Sequence, residues 1–449
     1  MREAHCHLLA LGQALTTVSL ADCASLAECL QRVAQLARGL ASKQASNGNS
    51  VGWIKLGQAH HNNWPEARWP TAAELDAAAG QHPCIIKSFD HHHAVCNSAA
   101  LHAAGLVVGQ AVSPLGRVLA DAAGTFTGEL VEHAAWHVWQ ADGEPTPTER
   151  LGILRAACDH LAAFGYREAH DMLSQSWLAN DLTLLALQGH LPLKVVLYAE
   201  PTIAEQLLSQ RATWHAHVKL GGMKLFADGT LSARTAHMVH RYADPLPDAS
   251  RGRCMTAPAT ILATMHRCQS LGIGLAVHAI GDGAVRTVLD CAERARTATP
   301  ASGPTHGLDA CRIRIEHAEI IDKCDVSRFA ELCIDCSVQP CHLPWDIAVI
   351  RKHLPHRTER VLPLAELLAA GLVPGSLGAD GLWTGATPQE IAAAPAGLAF
   401  GSDAPIVGAD PQDSLFAAVH RRAAHQPVSG ALGLSQALDP AAARQCFGN

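Results

Sequence analysis

No uncharged apolar run of about 18 residues occurs in this 449-residue chain, so nothing in it reads as a membrane-spanning helix. No basic segment followed by an apolar stretch and a cleavage site opens it, so no secretory leader is expected. Positive charge is not in excess. The formal net charge of −7 argues against nucleic acid or an anionic membrane as partner. A Gly-x-Ser-x-Gly elbow is missing, which speaks against a serine hydrolase. Gly272-Ile-Gly274 lies ahead of a strand rather than after one, the wrong order for a dinucleotide fingerprint. Cys333 and Cys336, with Cys341 and His342, lack the second Cys-x-x-Cys of a structural zinc site. There is no internal repeat and no low-complexity tract.

A hydrophobic fraction of 48% and a charged fraction of 17% are those of a globular chain with a sizeable core. The 15 cysteines are scattered singly, which suits reduced thiols and a cytoplasmic location better than a disulfide framework. The 27 histidines are conspicuous, and two of them open the chain in Glu3-Ala-His5-Cys-His7-Leu. On a strand, His5 and His7 point to one side and Cys6 to the other. Two imidazoles on one side of a strand end can hold one metal ion.

Past residue 163 the pattern becomes regular. Short apolar stretches at 164–171, 193–199, 222–228, 273–279, 312–318, 334–340 and 398–403 alternate with helical ones. That is the signature of βα units and a parallel sheet. With the N-terminal strand they make eight, which fits an α/β chain folded as a (β/α)8 TIM-type barrel. The barrel takes residues 1–43 and 131–449. Residues 44–130 form an inserted cap, a small subdomain between the first and second strands. Residues 369–395, rich in Ala, Gly and Pro, read as a long loop or lid before the last strand.

Barrel sites lie at the C-terminal ends of the strands. Those ends carry His5 and His7, then His170 and Asp171, Lys224 and Asp228, His278, His317, Gln339 with His342, and Asp403. One histidine at a strand end is ordinary, but several independent strands ending in His, Lys or Asp form a pattern.

The order His-x-His, Lys, His, His, Asp resembles the amidohydrolase superfamily. The phrases Lys-Leu-Phe-Ala-Asp-Gly-Thr-Leu-Ser-Ala-Arg, Val-His-Ala-Ile-Gly-Asp-Gly, Arg-Ile-Glu-His-Ala-Glu and Gly-Ser-Asp-Ala-Pro are similar to amidohydrolase family 3, which includes N-substituted formamide deformylases. The resemblance implies a first metal held by His5, His7 and Asp403. It implies a second held by His278 and His317, with Lys224 bridging the two as a carboxylated lysine. One or two divalent ions, zinc first, are the implied cofactor.

The expected reaction is hydrolysis of a C–N, amide-type bond in a small molecule by metal-activated water. Asp403 serves as general base, and His278 polarises the carbonyl if one ion is present. His92, in the run His91-His92-His93, is a candidate substrate contact, with Asn97, Arg234, Gln339 and His342 behind it. A homodimer is compatible with this reading. Members of the family also carry a β-sandwich beside the barrel, and its two portions are expected to be missing here. The alternative is a non-catalytic or truncated barrel that retains some metal ligands.

Overall fold

The computed structural model describes residues 1–47, 52–88, 93–112, 116–246, 249–297 and 311–448. They divide into two compact units, Met1–Gly12 with Arg150–Asn449, and Gln13–Glu149.

The first unit is built on parallel strands that we number β1 to β8. They are β1 (Arg2–Cys6), β2 (Glu168–Asp171), β3 (Lys194–Ala199), β4 (Val218–Phe226), β5 (Gly274–Ala279), β6 (Ile313–His317), β7 (Asp335–Val338) and β8 (Gly397–Phe400). They hydrogen-bond in that order, and a two-residue strand, Val373–Pro374, lies beside β8. The sheet curls until its first and eighth strands meet. Asp403 N–H donates to the His5 carbonyl at 2.7 Å, and His7 N–H donates to the Ala404 carbonyl at 2.9 Å. All eight strands expected from the sequence are present.

Strands covered on both sides read as near-continuous buried runs. Ile313 and Ile315 of β6 pack outward against the helices, whereas Arg312, Arg314 and Glu316 alternate with them. The helices supply the outer cover. In Pro147–Ala163, Leu154, Ala157, Cys158 and Leu161 are buried at helical spacing. Its start is fixed by a reciprocal pair, since Glu149 N–H donates to Thr146 Oγ1 and Thr146 N–H to the Glu149 carboxylate.

Residues 369–395 are not a lid over the C-terminal strand ends. Leu377 and Ala379, with Leu382 and Trp383 against them, share a cluster with Ala4, Val196, Tyr198, Ala276 and Ala399 of the strands. Asp335, the first residue of β7, accepts from Gly378 N–H and Gly397 N–H. Arg312, just before β6, reaches the carbonyls of Ala392, Ala394 and Pro395. The segment therefore closes the N-terminal end of the sheet, because the buried charges at the strand starts need its backbone as partners.

The second unit holds a six-stranded sheet ordered Val18–Ser19, Ile54–Ala59, Cys84–Ser88, His93–Cys96, Phe126–Val131, Arg117–Ala120. Its limits are 13 and 149, and two of its covering helices, Leu26–Asn47 and His133–Trp139, reach beyond 44–130. Leu26, Cys29, Val33 and Ala37 of the helix Leu26–Asn47 pack on Ile54, Leu56, Cys84 and Ile86. Ala134, Ala135 and Val138 of His133–Trp139 pack on Ile85, Ala94 and Cys96. All 15 cysteines are free thiols. No described helix is long and apolar enough to cross a membrane.

Candidate metal centre

Register places the site. Lys224 lies opposite Ala276, Phe226 opposite His278, and Ala279 opposite His317. The bonds between β1 and the end of β8 bring Asp403 beside His5. Residues up to 400 positions apart in the sequence thus share one rim.

His5 Nε2 lies 3.4 Å and His7 Nε2 3.0 Å from Asp403 Oδ1. One ligand atom from each of the three falls within 4.8 Å of the others. The remaining imidazoles continue the cluster. Ring centroids are 4.8 Å apart for His5 and His317, and 4.4 Å apart for His278 and His317. Among the expected ligands, Lys224 and His317 each hold a buried side-chain atom with no hydrogen-bond partner, namely Nζ and Nδ1. Buried polar atoms are ordinarily satisfied, so these atoms on one rim fit a cation-binding role.

The tautomers fit as well. His5 Nδ1 is 2.7 Å from Glu316 Oε2, and a carboxylate only accepts, so Nδ1 carries the proton and Nε2 keeps its lone pair. His278 Nε2 is 3.1 Å from the Gly229 carbonyl, which leaves its Nδ1 free. Such outer bonds to carbonyls and carboxylates are how metal-binding imidazoles are oriented.

Protonation follows burial. Desolvation lowers His5 to about 4 and His278 to about 3, and takes His317 well below its ordinary value. These three rings are neutral at pH 7, the form that ligates. Burial alone would lower His7, but its hydrogen bond to Asp403 outweighs that and raises it. Burial pushes Asp403 upward, yet the imidazoles of His5 and His7 hold it well below the usual carboxylate range. Burial brings Lys224 down to about 8, against the opposing pull of Glu316 and Asp403. Lys224 also lines a cavity of about 340 Å³ with Glu200, Phe226 and Thr256.

Backbone strain gathers here. His317, Ala318 and Asp403 have φ of +72°, +42° and +63°. Non-glycine residues in this region persist only where their surroundings hold them.

Three residues that sequence reasoning left out support the centre. Glu316 fixes His5. Arg314, fully buried, pairs with Glu316 and reaches the Ala4 carbonyl, Ser337 Oγ and His170 Nδ1. Glu3 accepts from the backbone N–H groups of His5 and Ser402, tying β1 to β8. The phrase Arg-Ile-Glu-His held the clue, since residues two apart on β6 share a face.

The other expected residues fare differently. Asp228 is saturated by the N–H groups of Ile280, Gly281 and His237, a loop-holding role. Asp171 accepts from Leu8 N–H and Ser174 Oγ just past β1, and His170 faces Glu168 and Arg314. Arg234 is spent on Asp244. Asn97 belongs to the second unit, where it is fully buried and caps the helix Ser98–Ala103 while bonding Cys84 N–H and the His82 carbonyl. Those bonds occupy its oxygen twice and one of its two amide hydrogens. His92 and His91 lie outside the described residues, and His93 is exposed. Gln339 is buried with neither side-chain amide atom bonded, and His342 Nε2 donates to the Ser402 carbonyl at 3.1 Å. Cys336 is buried in β7 and Cys341 lies against the Ser402 carbonyl. No metal-ligand cluster among the described residues includes a cysteine.

Known proteins are similar to this chain. N-substituted formamide deformylase of Arthrobacter pascens is 24% identical over 430 residues, 88% of this chain and 74% of that protein. The protein LONG AFTER FAR-RED 3 of Arabidopsis thaliana is 27% identical over 434 residues, 93% of this chain and 67% of that protein. The crystal structure of an uncharacterized metal-dependent hydrolase from Pyrococcus horikoshii superposes with a TM-score of 0.72 at 25% identity, covering 99% of this chain and 79% of that one. The sequence profile of the amidohydrolase family matches residues 1–445, and to that family the chain belongs.

Proposed function

We propose that this chain is a metal-dependent hydrolase that cleaves a carbon–nitrogen bond of the amide type in a small molecule. The observation that carries the reading is the convergence of His5, His7 and Asp403 within 4.8 Å, with the rings of His317 and His278 adjoining. Imidazole nitrogen with carboxylate oxygen is a donor set that suits zinc. His5, His7 and Asp403 would hold one ion, and His278 and His317 a second. Lys224 would join them as its carbamate, since burial already disfavours its ammonium. A divalent ion, when bound, lowers the pKa of water to about 7 and polarises a carbonyl.

The chain's own residues do the rest. Asp403 accepts the proton as the water oxygen bonds to the carbonyl carbon, and returns it to the nitrogen as the C–N bond breaks. Glu316 keeps His5 in one tautomer throughout. Gln339, buried with neither amide atom bonded, would orient a polar group of the substrate.

Metal analysis of purified protein, with turnover measured on small N-substituted amides and formamides, tests the reading. Asp403→Asn should lower kcat by about 10²–10⁴-fold. A protein that takes up no zinc, or an Asp403→Asn variant with undiminished turnover, would sink it.

A further inference from the structure

Beside the centre just described lies a second convergence of ligand atoms. Glu319 stands two residues beyond β6. His342 closes the 3-10 turn Pro340–His342 after β7, and Asp346 lies in the first turn of the helix Leu343–His353. His342 and Asp346 are four residues apart, so one helical turn stacks them on the same side. The turn of the chain at Ala318, with φ of +42°, precedes Glu319 just past β6. One ligand atom from each of the three lies within 4.8 Å of the others.

Glu319 is only 7% exposed, and no hydrogen bond or ion pair reaches its carboxylate among the described residues. The other described buried carboxylates each have a hydrogen-bond donor or a cation on at least one oxygen. Glu316 has Arg314 and His5, Asp325 has Arg286 and Arg328, and Asp228 has three backbone N–H groups. Glu319 instead faces a second carboxylate, Asp346, which also lacks a lysine or arginine partner among the described residues. A buried carboxylate is kept only when something positive or donating compensates it.

The histidine points to what compensates it. His342 Nε2 lies 3.1 Å from the Ser402 carbonyl, which can only accept, so Nε2 holds the proton and Nδ1 keeps its lone pair. An outer hydrogen bond to a backbone carbonyl is the arrangement that readies an imidazole to ligate. Two carboxylate oxygens and one imidazole nitrogen suit a divalent transition-metal ion such as Mn²⁺ or Zn²⁺, with positions left for water.

We infer that Glu319, His342 and Asp346 form a separate divalent-cation site, distinct from the one built on His5, His7 and Asp403. The rings of His342 and His317 are 6.4 Å apart, so a cation there sits next to the hydrolytic centre without sharing a ligand with it. The site shares no ligand with the proposed hydrolytic centre, takes His342 as a ligand rather than as the substrate contact expected from the sequence, and does not depend on that reading.

Mn²⁺ binding to the full chain, stripped with chelator and titrated by electron paramagnetic resonance, tests this. Wild type should bind one Mn²⁺ per chain more than the Glu319→Gln/Asp346→Asn variant. The single variant His342→Ala should lose the same ion, which guards against a folding failure of the double variant. His5→Ala/His7→Ala should keep it while losing an ion at the main centre. Equal Mn²⁺ counts in wild type, the double variant and His342→Ala would overturn the proposal, and would mean that a shared proton compensates the two carboxylates. Failure of the main-centre reading gives a different result, in which His5→Ala/His7→Ala loses no ion.

Discussion

His5 Nδ1 and Glu316 Oε2 are separated by 2.7 Å although 311 residues part them in the chain. The contact decides which nitrogen of His5 faces Asp403. Arg314 holds Glu316 from the other side, so the imidazole is set by a buried charge pair rather than by its own strand.

Glu316→Gln should therefore loosen metal without emptying the site. The amide oxygen can still accept from His5, but its NH₂ then meets the Arg314 guanidinium. Zinc affinity should fall about 10–100-fold, the usual effect of losing an outer carboxylate. Competition with a chromogenic chelator measures it, and turnover should recover in excess zinc. An unchanged affinity would remove Glu316 from its positioning role.

The proposed carbamate on Lys224 predicts a pH-dependent assembly step. A carbamate forms from the neutral amine, and burial brings this lysine down to about 8. At pH 6.5 the amine is mostly protonated, and above about 8 it is mostly neutral. Reconstitution of stripped protein with zinc and bicarbonate should be faster at pH 8.5 than at pH 6.5. Carbon-13 bicarbonate should give a carbamate resonance that is absent from Lys224→Met. A wild-type spectrum without that resonance would refute the bridging role.

Close packing between β4 and β5 predicts a stability effect. A Cβ on Gly222 would stand 1.9 Å from the Gly274 carbonyl oxygen, which is backbone and cannot yield. Gly222→Ala should cost about 3 kcal/mol and displace Lys224 two residues on. Urea denaturation together with zinc uptake would register both effects. A loss of under about 0.5 kcal/mol, the range of a surface change, would contradict the geometry.

In the second unit, Lys87 Nζ lies 3.7 Å from the ring centroid of Trp136 and 4.1 Å from that of Trp139. Burial brings this lysine down to about 7, with Lys55 adding to the effect, while the indole faces favour the ammonium. The folded pKa is below the unfolded value, so between about 7 and 10.5 the unfolded chain binds the extra proton. Stability should then rise with pH across that window, and the cost is fully present below it. Set against the indole attraction, the gain is on the order of 2 kcal/mol. Denaturation midpoints at pH 7 and pH 10 should differ in wild type, and differ less in Lys87→Met.

Much of the parallel sheet was legible because its strands are short apolar runs separated by helices, a pattern that survives in one dimension. The candidate residues at the strand ends were legible for a related reason, since each sits at the end of such a run, and the choice of ligands among them came from the resemblance to the amidohydrolase family. The supporting residues were not. Arg314 and Glu316 look like surface charges inside a strand until the curled sheet turns them inward against His5 and His170. Residues 369–395 read as a long loop or a lid because composition marks a loop but not the end of the sheet it covers. Arg312 and Asp335 decide that by binding its backbone at the strand starts.

Local order in this chain comes from residue chemistry and spacing. The alternation of apolar runs with helices sets the parallel α/β architecture, and Thr146 with Glu149 sets where a helix begins. Proximity does not come from spacing. Only closure of the sheet joins His5 to Asp403, and only the pairing of β5 with β6 brings His278 to His317. Glu319 meets His342 and Asp346 only once the segments after β6 and β7 pack together. The reason is physical: hydrogen-bond register between distant strands is settled when the whole core packs, and side chains at strand ends inherit their neighbours from it.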